Sequence, residues 1–129
     1  MAPGQLPLNI LVVDDEDVGR EMTGELLKSA GHHVMAAKDG AEAVERVARR
    51  VFDLVLMDID MPVMDGFAAT RAIRALPSFA RSVKIVALTA RTSDEDRRRA
   101  TQAGMDGFVT KPFRLRHLEP WIQASARPL

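Results

Sequence analysis

The chain has 129 residues, and its 18 Lys and Arg side chains are matched by 18 Asp and Glu side chains, so its formal charge is zero. This length fits one domain with a core large enough to fold without a metal or a disulfide, and a hydrophobic fraction of 47% excludes a disordered chain. The neutral charge, the lack of any apolar run near the ~20 residues of a membrane span and the absence of cysteine predict a cytoplasmic domain without nucleic-acid or membrane partners.

The zero net charge hides an asymmetry between the two halves of the chain. Residues 1–66 contain 13 acidic and 6 basic side chains, whereas residues 67–129 contain 5 acidic and 12 basic side chains. Carboxylates are therefore concentrated in the first half, and their positions indicate where a functional site is to be sought.

Five short apolar runs alternate with longer amphipathic segments. The runs are Asn9–Val13, Val34–Ala37, Leu54–Met57, Val83–Leu88 and Phe108–Thr110. They are rich in Val, Ile, Leu or Met and show little polar alternation, which is typical of strands buried on both faces. Five such strand–helix units predict a single α/β domain with a parallel sheet and helices on both faces.

Helical periodicity fills the segments between the strands. Apolar residues at every fourth position predict the buried face of the first helix, namely Val18, Met22, Leu26 and Ala30. A similar spacing predicts the face of the second helix, namely Ala41, Val44, Ala48 and Val51. The third and last helices are predicted from Ala69, Ile73 and Leu76 and from Leu115, Leu118 and Ile122.

Capping residues predict where several of these helices begin and end. Asp39 followed by Glu42, and Thr92 followed by Glu95, are typical of capping boxes at the start of the second and fourth helices. Gly31 stands where a left-handed residue ends the first helix.

The predicted fourth helix has an unusual composition. Between Ser93 and Ala103 its only apolar residues are Ala100 and Ala103, so it can bury little surface and should be the most weakly held element. We interpret the three successive basic residues 97–99 as a solvated face. An acidic partner surface is the less favoured alternative.

Polar side chains follow four of the five predicted strands. Asp14 and Asp15 follow the first strand, Asp58 the third, Thr89 the fourth and Lys111 the fifth. The carboxyl ends of parallel strands share one edge of the sheet, and ligands of open α/β sheets bind at that edge. We therefore expect three carboxylates, a hydroxyl and an ammonium to lie close together.

Three neighbouring carboxylates raise each other's pKa unless a positive charge offsets them. Oxygen ligands without cysteine favour Mg²⁺, Mn²⁺ or Ca²⁺ over zinc, and Mg²⁺ commonly shares its site with phosphate oxygens. Lys111 and Thr89 would then contact a phosphoryl group, which predicts aspartyl-phosphate chemistry. The chain has no glycine-rich nucleotide motif, so the donor is expected to be a small molecule or another protein.

Four motifs follow one another on these elements. They are Val-Val-Asp-Asp-Glu at 12–16, Leu-Met-Asp-Ile-Asp-Met-Pro-Val-Met-Asp-Gly at 56–66, Ala-Leu-Thr-Ala at 87–90 and Ala-Gly-Met-Asp-Gly-Phe-Val-Thr-Lys-Pro-Phe at 103–113. Together they resemble the receiver domain of two-component response regulators over about residues 8–125. The resemblance implies a flavodoxin-like doubly wound sheet of order 2-1-3-4-5, and we expect the termini, 1–7 and 126–129, to be flexible.

The resemblance also implies a metal site. Asp58 is implied as the phosphoacceptor, and Asp14, Asp15, Asp58 and the backbone carbonyl of Asp60 as the surroundings of Mg²⁺, with Mn²⁺ as an alternative ion. Which of Asp14 and Asp15 binds the metal directly stays open.

A switch and a phosphate partner are implied as well. Thr89 and Phe108 resemble the switch pair of the family, and Lys111 resembles its phosphate partner. The Lys111–Pro112 peptide bond is expected to be cis by the same resemblance.

The implied function is a phosphorylatable signalling switch and not a turnover enzyme. A histidine kinase or a histidine phosphotransfer protein would supply the phosphoryl group to Asp58, and the surface around the fourth helix and fifth strand would change. We expect a monomer or weak dimer. Whether the receiver stands alone or belongs to a hybrid kinase stays open.

Two other functions compete with this one. Asp58-Ile59-Asp60 is similar to the Asp-x-Asp motif of haloacid-dehalogenase-type phosphatases. That family carries the motif on its first strand, whereas here it follows the third, so a phosphatase is the less favoured hypothesis. A docking module without phosphorylation is disfavoured because every chemical position is filled.

Asp60 and Arg91 support one further hypothesis. Each lies two residues after a site residue, Asp58 or Thr89. We expect their side chains to pair across the mouth of the site and to hinder the hydrolytic water. Two solvated charges that never meet are an equally weighted alternative.

Overall fold

The computed structural model describes residues 6–126, apart from the side chains at 78 and 79. Five parallel strands alternate with five α-helices and one short 3₁₀ helix, in the order β1 Asn9–Val13, α1 Asp17–Ser29, β2 His33–Ala37, α2 Gly40–Arg49, β3 Leu54–Asp58, α3 Gly66–Arg74, 3₁₀ helix Ser78–Ser82, β4 Lys84–Thr89, α4 Asp94–Ala103, β5 Gly107–Thr110 and α5 Leu115–Ala124. The sheet order is β2-β1-β3-β4-β5, which confirms the predicted fold. The termini expected to be flexible, 1–7 and 126–129, lie mostly outside the described residues.

Side chains of the central strands alternate between two apolar cores because successive residues of a strand point to opposite faces. One core joins the sheet to α1 and α5, and it includes Leu27, Leu118 and Ile122. The other core joins the sheet to α2, α3 and α4, and it includes Phe67 and Ile73. Helices therefore cover both faces of the sheet. Within the described residues, no helix combines the length and apolar character needed to cross a membrane.

The two edge strands are less buried than their sequences predict. β1, β3 and β4 are almost wholly buried, whereas most residues of β2 and β5 are partly or fully exposed. The expectation of burial on both faces is wrong for these two strands because each has a neighbour on one side only. The apolar composition of the runs did not distinguish edge from centre.

The predicted buried face of α1 is wrong at its first two residues, whereas Leu26 and Ala30 are partly buried. The helix buries Thr23, Gly24 and Leu27, whereas Val18 and Met22 are 69% and 68% exposed. Residues of an α-helix turn by about 100° each, so Val18, nine positions before Leu27, lies on the opposite side. Residues four apart are not in line along an α-helix, because four steps exceed one full turn. Over three such intervals the apolar residues therefore leave the original face.

The predicted face of α2 is displaced in the same way. Ala43 and Val47 are its buried apolar residues, whereas Ala41, Ala48 and Val51 are exposed. The faces predicted for α3 and α5 are confirmed, because Ala69, Ile73, Leu118 and Ile122 are buried.

Gly31 ends α1 as predicted, whereas at the start of α2 only the Asp39 half of the predicted capping box is present, since the Glu42 carboxylate accepts from Arg46. The Asp39 carboxylate accepts a hydrogen bond from the Glu42 backbone N–H at 2.8 Å, and Gly31 has a φ of 98°. The capping box at Thr92 and Glu95 is wrong. Ser93 is the N-cap of α4, and its hydroxyl accepts from the backbone N–H of Asp96. The run Thr92-Ser93-Asp94 offers two neighbouring hydroxyls, and the helix begins after the second one.

Arginine side chains connect α4 to two aromatic rings. Its only buried residues are Asp96, Ala100 and Ala103, as the composition indicates. The guanidinium of Arg97 lies 4.7 Å from the centroid of the Phe108 ring, and that of Arg99 lies 4.4 Å from the centroid of Phe67. All three residues of this basic run are exposed, as interpreted, but two of their guanidinium groups also lie over aromatic rings, which was not predicted.

Candidate functional site

Three carboxylates meet at the carboxyl edge of the sheet. Asp14 and Asp15 follow β1 and Asp58 ends β3, and each offers an oxygen within 4.8 Å of the others. Asp14 and Asp58 are each 5% exposed, whereas Asp15 faces solvent. The structure thus brings these three predicted residues together, because β1 and β3 are neighbouring parallel strands.

Asp14 is oriented by contacts on both of its oxygens. Oδ1 accepts a hydrogen bond from the Glu16 backbone N–H at 2.9 Å, and Oδ2 lies 3.5 Å from the Lys111 ammonium. A Cβ atom at Gly19 would lie 2.8 Å from Oδ2. Gly19 therefore lets the first turn of α1 approach the carboxylate. This role was not predicted from the sequence.

Asp58 is held by the loop that follows it. Its Oδ1 accepts from the Asp60 backbone N–H at 3.1 Å, and its Oδ2 lies 3.6 Å from the Lys111 ammonium. Gly66 contacts the backbone of Asp58 and Ile59 so closely that a side chain would not fit. The loop between β3 and α3 can therefore fold back across the strand end only with glycine at this position.

Burial raises the pKa of Asp58 from 3.8 to about 6. Lys111 and the Asp60 N–H lower this pKa, while the carboxylates of Asp14 and Asp15 raise it further. Burial and like charge outweigh the one nearby ammonium. The cluster therefore suits an additional cation, and its all-oxygen donor set fits a hard divalent ion such as Mg²⁺.

Thr89 and Lys111 complete this edge from the next two strands. The Lys111 backbone N–H donates to the Thr89 carbonyl at 2.8 Å, which continues the β4–β5 pairing past Thr110. Thr89 is buried, and its hydroxyl oxygen accepts from the Arg91 backbone N–H at 2.9 Å. The Lys111–Pro112 peptide bond is cis, as expected.

Phe108 lies on the same face of the sheet as Thr89. It pairs with Ala87, two residues before Thr89 on β4, and residues two apart on a strand share a face. The Phe108 side chain is partly buried and packs against the core of α2, α3 and α4. Since Thr89 pairs with Thr110, Phe108 and Thr89 occupy diagonal positions on neighbouring strands.

The predicted pairing of Asp60 with Arg91 is confirmed. One guanidinium nitrogen of Arg91 lies 3.0 Å from Asp60 Oδ1, and the other lies 2.7 Å from Asp96 Oδ1 on α4. The hydroxyl of Ser93 and the Arg91 guanidinium lower the pKa of Asp96. The second contact was not predicted, and it connects the mouth of the site to the first turn of α4.

The sequence model of one protein family, the response regulator receiver domain, matches residues 10–123 of this chain. The chain belongs to this family. The receiver domain is 39% identical over 110 residues to a gliding motility regulatory protein of Myxococcus xanthus, which covers 85% of this chain and 14% of that protein. It is 43% identical over 111 residues to the sensor protein GacS of Pseudomonas syringae, which covers 84% of this chain and 12% of that protein. The chain thus spans only a small part of these relatives.

Solved receiver structures agree in fold. The chemotaxis protein CheY4 of Vibrio cholerae superposes with a TM-score of 0.86 at 33% identity, covering 93% of this chain and 99% of that one. The receiver domain of a sensor histidine kinase from Pseudomonas aeruginosa gives a TM-score of 0.84 at 39% identity, covering 92% and 97%. That structure carries a magnesium ion in its active-site cleft. The chain is accordingly a receiver domain of two-component phosphorelay signalling.

Proposed function

We propose that this receiver domain takes a phosphoryl group onto Asp58 from a phosphohistidine of a histidine kinase or a histidine phosphotransfer protein, with Mg²⁺ as cofactor. The observation that carries the proposal is a buried carboxylate whose pKa is raised to about 6, beside two further carboxylates and an ammonium at 3.6 Å. The unit proposed to act is residues 8–125, as a monomer or weak dimer. A cytoplasmic location is part of the proposal, since the chain lacks cysteine and suits a reducing compartment.

Asp58 would act as the nucleophile in its ionised form. An oxygen–phosphorus bond forms at its carboxylate while the phosphorus–nitrogen bond of the donor breaks, and the imidazole nitrogen keeps the electron pair of that bond. Lys111 would offset charge on the phosphoryl oxygens, since its ammonium already lies between Asp14 and Asp58. Positioning and electrostatics supply the rate enhancement in phosphoryl transfer of this kind.

Asp14, Asp15 and Asp58 would hold Mg²⁺ together with the backbone carbonyl of Asp60. A bound Mg²⁺ supplies positive charge to the carboxylates and to phosphoryl oxygens. Because Gly19 has no side chain, Asp14 Oδ2 stays accessible to a metal ion on that side. Asp15 is exposed and can bind the ion directly or through water.

Thr89 and Phe108 would transmit the change to α4. The phosphoryl group adds about 1.5–2 negative charges, and the Thr89 hydroxyl can donate a hydrogen bond to it. Its oxygen now accepts from the Arg91 N–H, so movement of Thr89 would disturb the loop that leads into α4. Phe108, on the same face, would follow into the space that Thr89 leaves.

An exposed apolar surface beside the site supports a protein donor over a small-molecule donor. Val18 and Met22 of α1 are exposed, and Met22 lines a groove of about 710 Å³ with Leu26, Phe113 and Leu115. The groove also reaches Asp14 and Lys111. Exposed apolar groups clustered next to a reactive site are typical of a protein contact.

The Asp60–Arg91 pair would lengthen the lifetime of the phosphoryl group by hindering the hydrolytic water. Asp60→Ala and Arg91→Ala should each speed the loss of label from Asp58, because either change opens the ion pair at the mouth of the site. Unchanged dephosphorylation in both variants contradicts this part of the proposal.

Incubation with Mg²⁺ and labelled acetyl phosphate tests the whole proposal. We expect one label per chain, borne by Asp58, released slowly and lost in Asp58→Asn and on chelation of the metal. Repeated turnover of phosphoesters would instead favour the haloacid-dehalogenase-type phosphatase. No label under any condition would favour a docking module.

A further inference from the structure

The outer surface of Phe108 is covered by a residue of α4. The guanidinium of Arg97 lies 4.7 Å from the centroid of the ring, while Arg97 itself is exposed and Phe108 is partly buried. This is the geometry of a cation–π contact, with the cation on the solvent side of the ring. α4 buries only Asp96, Ala100 and Ala103, and the Arg97 contact adds a connection between this helix and β5.

We propose that Arg97 is a positioning residue for the reaction at Asp58, because it holds the Phe108 ring in the place that it occupies before phosphorylation. The inference rests on the proposed function, in which Phe108 moves toward Thr89. Neither the phosphate-binding residues nor the Asp60–Arg91 pair is part of it.

The contact must weaken if the ring moves toward Thr89. Thr89 is buried, whereas Arg97 lies over the Phe108 ring from the exposed side of α4. An interaction made in one state and lost in the other shifts the equilibrium between them by its full strength. Removing it should therefore favour the phosphorylated conformation.

The sign of this effect separates positioning from simple charge. Arg97 carries a positive charge, and deleting a positive charge weakens the binding of an anion at Asp58 through the general field of the protein. Deleting a contact that opposes the phosphorylated conformation strengthens the binding of the same anion. Arg98, the exposed neighbour on α4, provides a variant with the same change of charge.

The test uses trifluoroberyllate, BeF₃⁻, an analogue of the phosphoryl group, titrated calorimetrically into the protein in saturating Mg²⁺. A cation–π contact at an exposed site corresponds to an expected tightening of about two- to fivefold for Arg97→Ala. Arg98→Ala should bind equally or slightly more weakly than the wild type, and Arg97→Lys, which keeps a cation over the ring, should bind nearly like the wild type. Binding by Arg97→Ala no tighter than by Arg98→Ala overturns the inference.

A second measurement asks whether Arg97 acts through Phe108. In a Phe108→Leu background the ring is absent, so Arg97→Ala should no longer tighten binding and should behave like Arg98→Ala. An equal tightening with and without the ring overturns the inference. If the wild type does not bind BeF₃⁻, both the proposed function and the inference about Arg97 are contradicted. If the wild type binds BeF₃⁻ and Arg97→Ala has no effect, only the inference about Arg97 is contradicted.

Discussion

Replacing the candidate phosphoacceptor should stabilise the metal-free protein. Asp58→Asn removes a buried charge but keeps an oxygen that can accept the Asp60 N–H hydrogen bond. The pKa of Asp58 rises from 3.8 to about 6 on folding, and each pKa unit corresponds to about 1.4 kcal/mol. The free energy of unfolding should therefore increase by roughly 3 kcal/mol in the variant when Asp58 of the wild type is ionised.

The pH dependence gives the sign of the effect. A carboxyl group with a raised pKa binds more protons in the folded state, so the wild type loses stability as the pH rises from 3.8 to about 6. The advantage of Asp58→Asn should be complete above this range and shrink toward zero as the pH falls toward 3.8. Urea unfolding of both proteins in a chelating buffer measures it.

A charge-matched control and a metal titration sharpen the test. Glu21→Gln removes the same charge from an exposed position of α1 and should change stability by less than about 0.5 kcal/mol. Excess Mg²⁺ should reduce the advantage of Asp58→Asn, because binding to the native site stabilises the wild type more. If Asp58→Asn is no more stable than the wild type above pH 6, burial and repulsion do not govern this carboxylate.

Three further outcomes follow from single positions. Val63 has a φ of 67° in the loop after β3, so Val63→Gly should raise the free energy of unfolding by roughly 0.5–1 kcal/mol in urea denaturation; a loss would show that the side chain has a packing role. Met22→Glu should slow transfer from a phosphorylated protein donor about tenfold and leave acetyl phosphate labelling unchanged, while Val51→Glu, at a similarly exposed position, should affect neither. His32 is buried, with Nδ1 accepting the Leu8 N–H, and burial lowers its pKa from 6.5; its contribution to stability, present above pH 6.5, should be lost as the pH falls through the lower folded-state pKa. The measurement is the difference in unfolding free energy between the wild type and His32→Gln as a function of pH. The titration of Asp58 is common to both proteins and drops out of this difference. A difference that stays constant with pH contradicts the prediction.

The site could be predicted because strand ends in a parallel sheet fix where residues meet. Asp14, Asp58 and Lys111 come directly at the ends of apolar runs, and a parallel sheet puts such ends on one edge whatever the details of packing. The structure brings the three together across 97 residues of sequence. Gly19 and Gly66 could not be assigned in this way, because their role depends on how closely two backbones approach.

Helix faces were less predictable than strand ends. A face is set by the direction from which the sheet meets the helix, and α1 has apolar residues on both sides. Leu27 is buried, while Val18 and Met22 are exposed beside the site. Apolar character alone does not distinguish a core residue from one in a protein contact.

The folded structure brings the acidic first half of the chain and its basic second half together at the site. Acidic groups of the first half meet basic groups of the second half at the site, where Lys111 faces Asp14 and Asp58 and where Arg91 faces Asp60. Arg91 also binds Asp96, so its charge is shared with α4. Lys111 is then left to offset the carboxylate cluster.

Differences in how the helices are packed support the proposal that a change at Asp58 is transmitted to α4 and β5 and not to α3 or α5. α3 and α5 are fixed by fully buried side chains such as Phe67 and Leu118, and moving either would expose area worth about 1.5–3 kcal/mol for each large side chain. α4 buries only two alanines and Asp96, and its other contacts include those of Arg91, Arg97 and Arg99. A cation–π contact at an exposed site contributes about 1 kcal/mol or less. A hydrogen bond from Thr89 to a new phosphoryl group has an energy similar to that of the exposed contacts of α4. Such a bond can therefore displace α4, whereas it is too weak to displace α3 or α5.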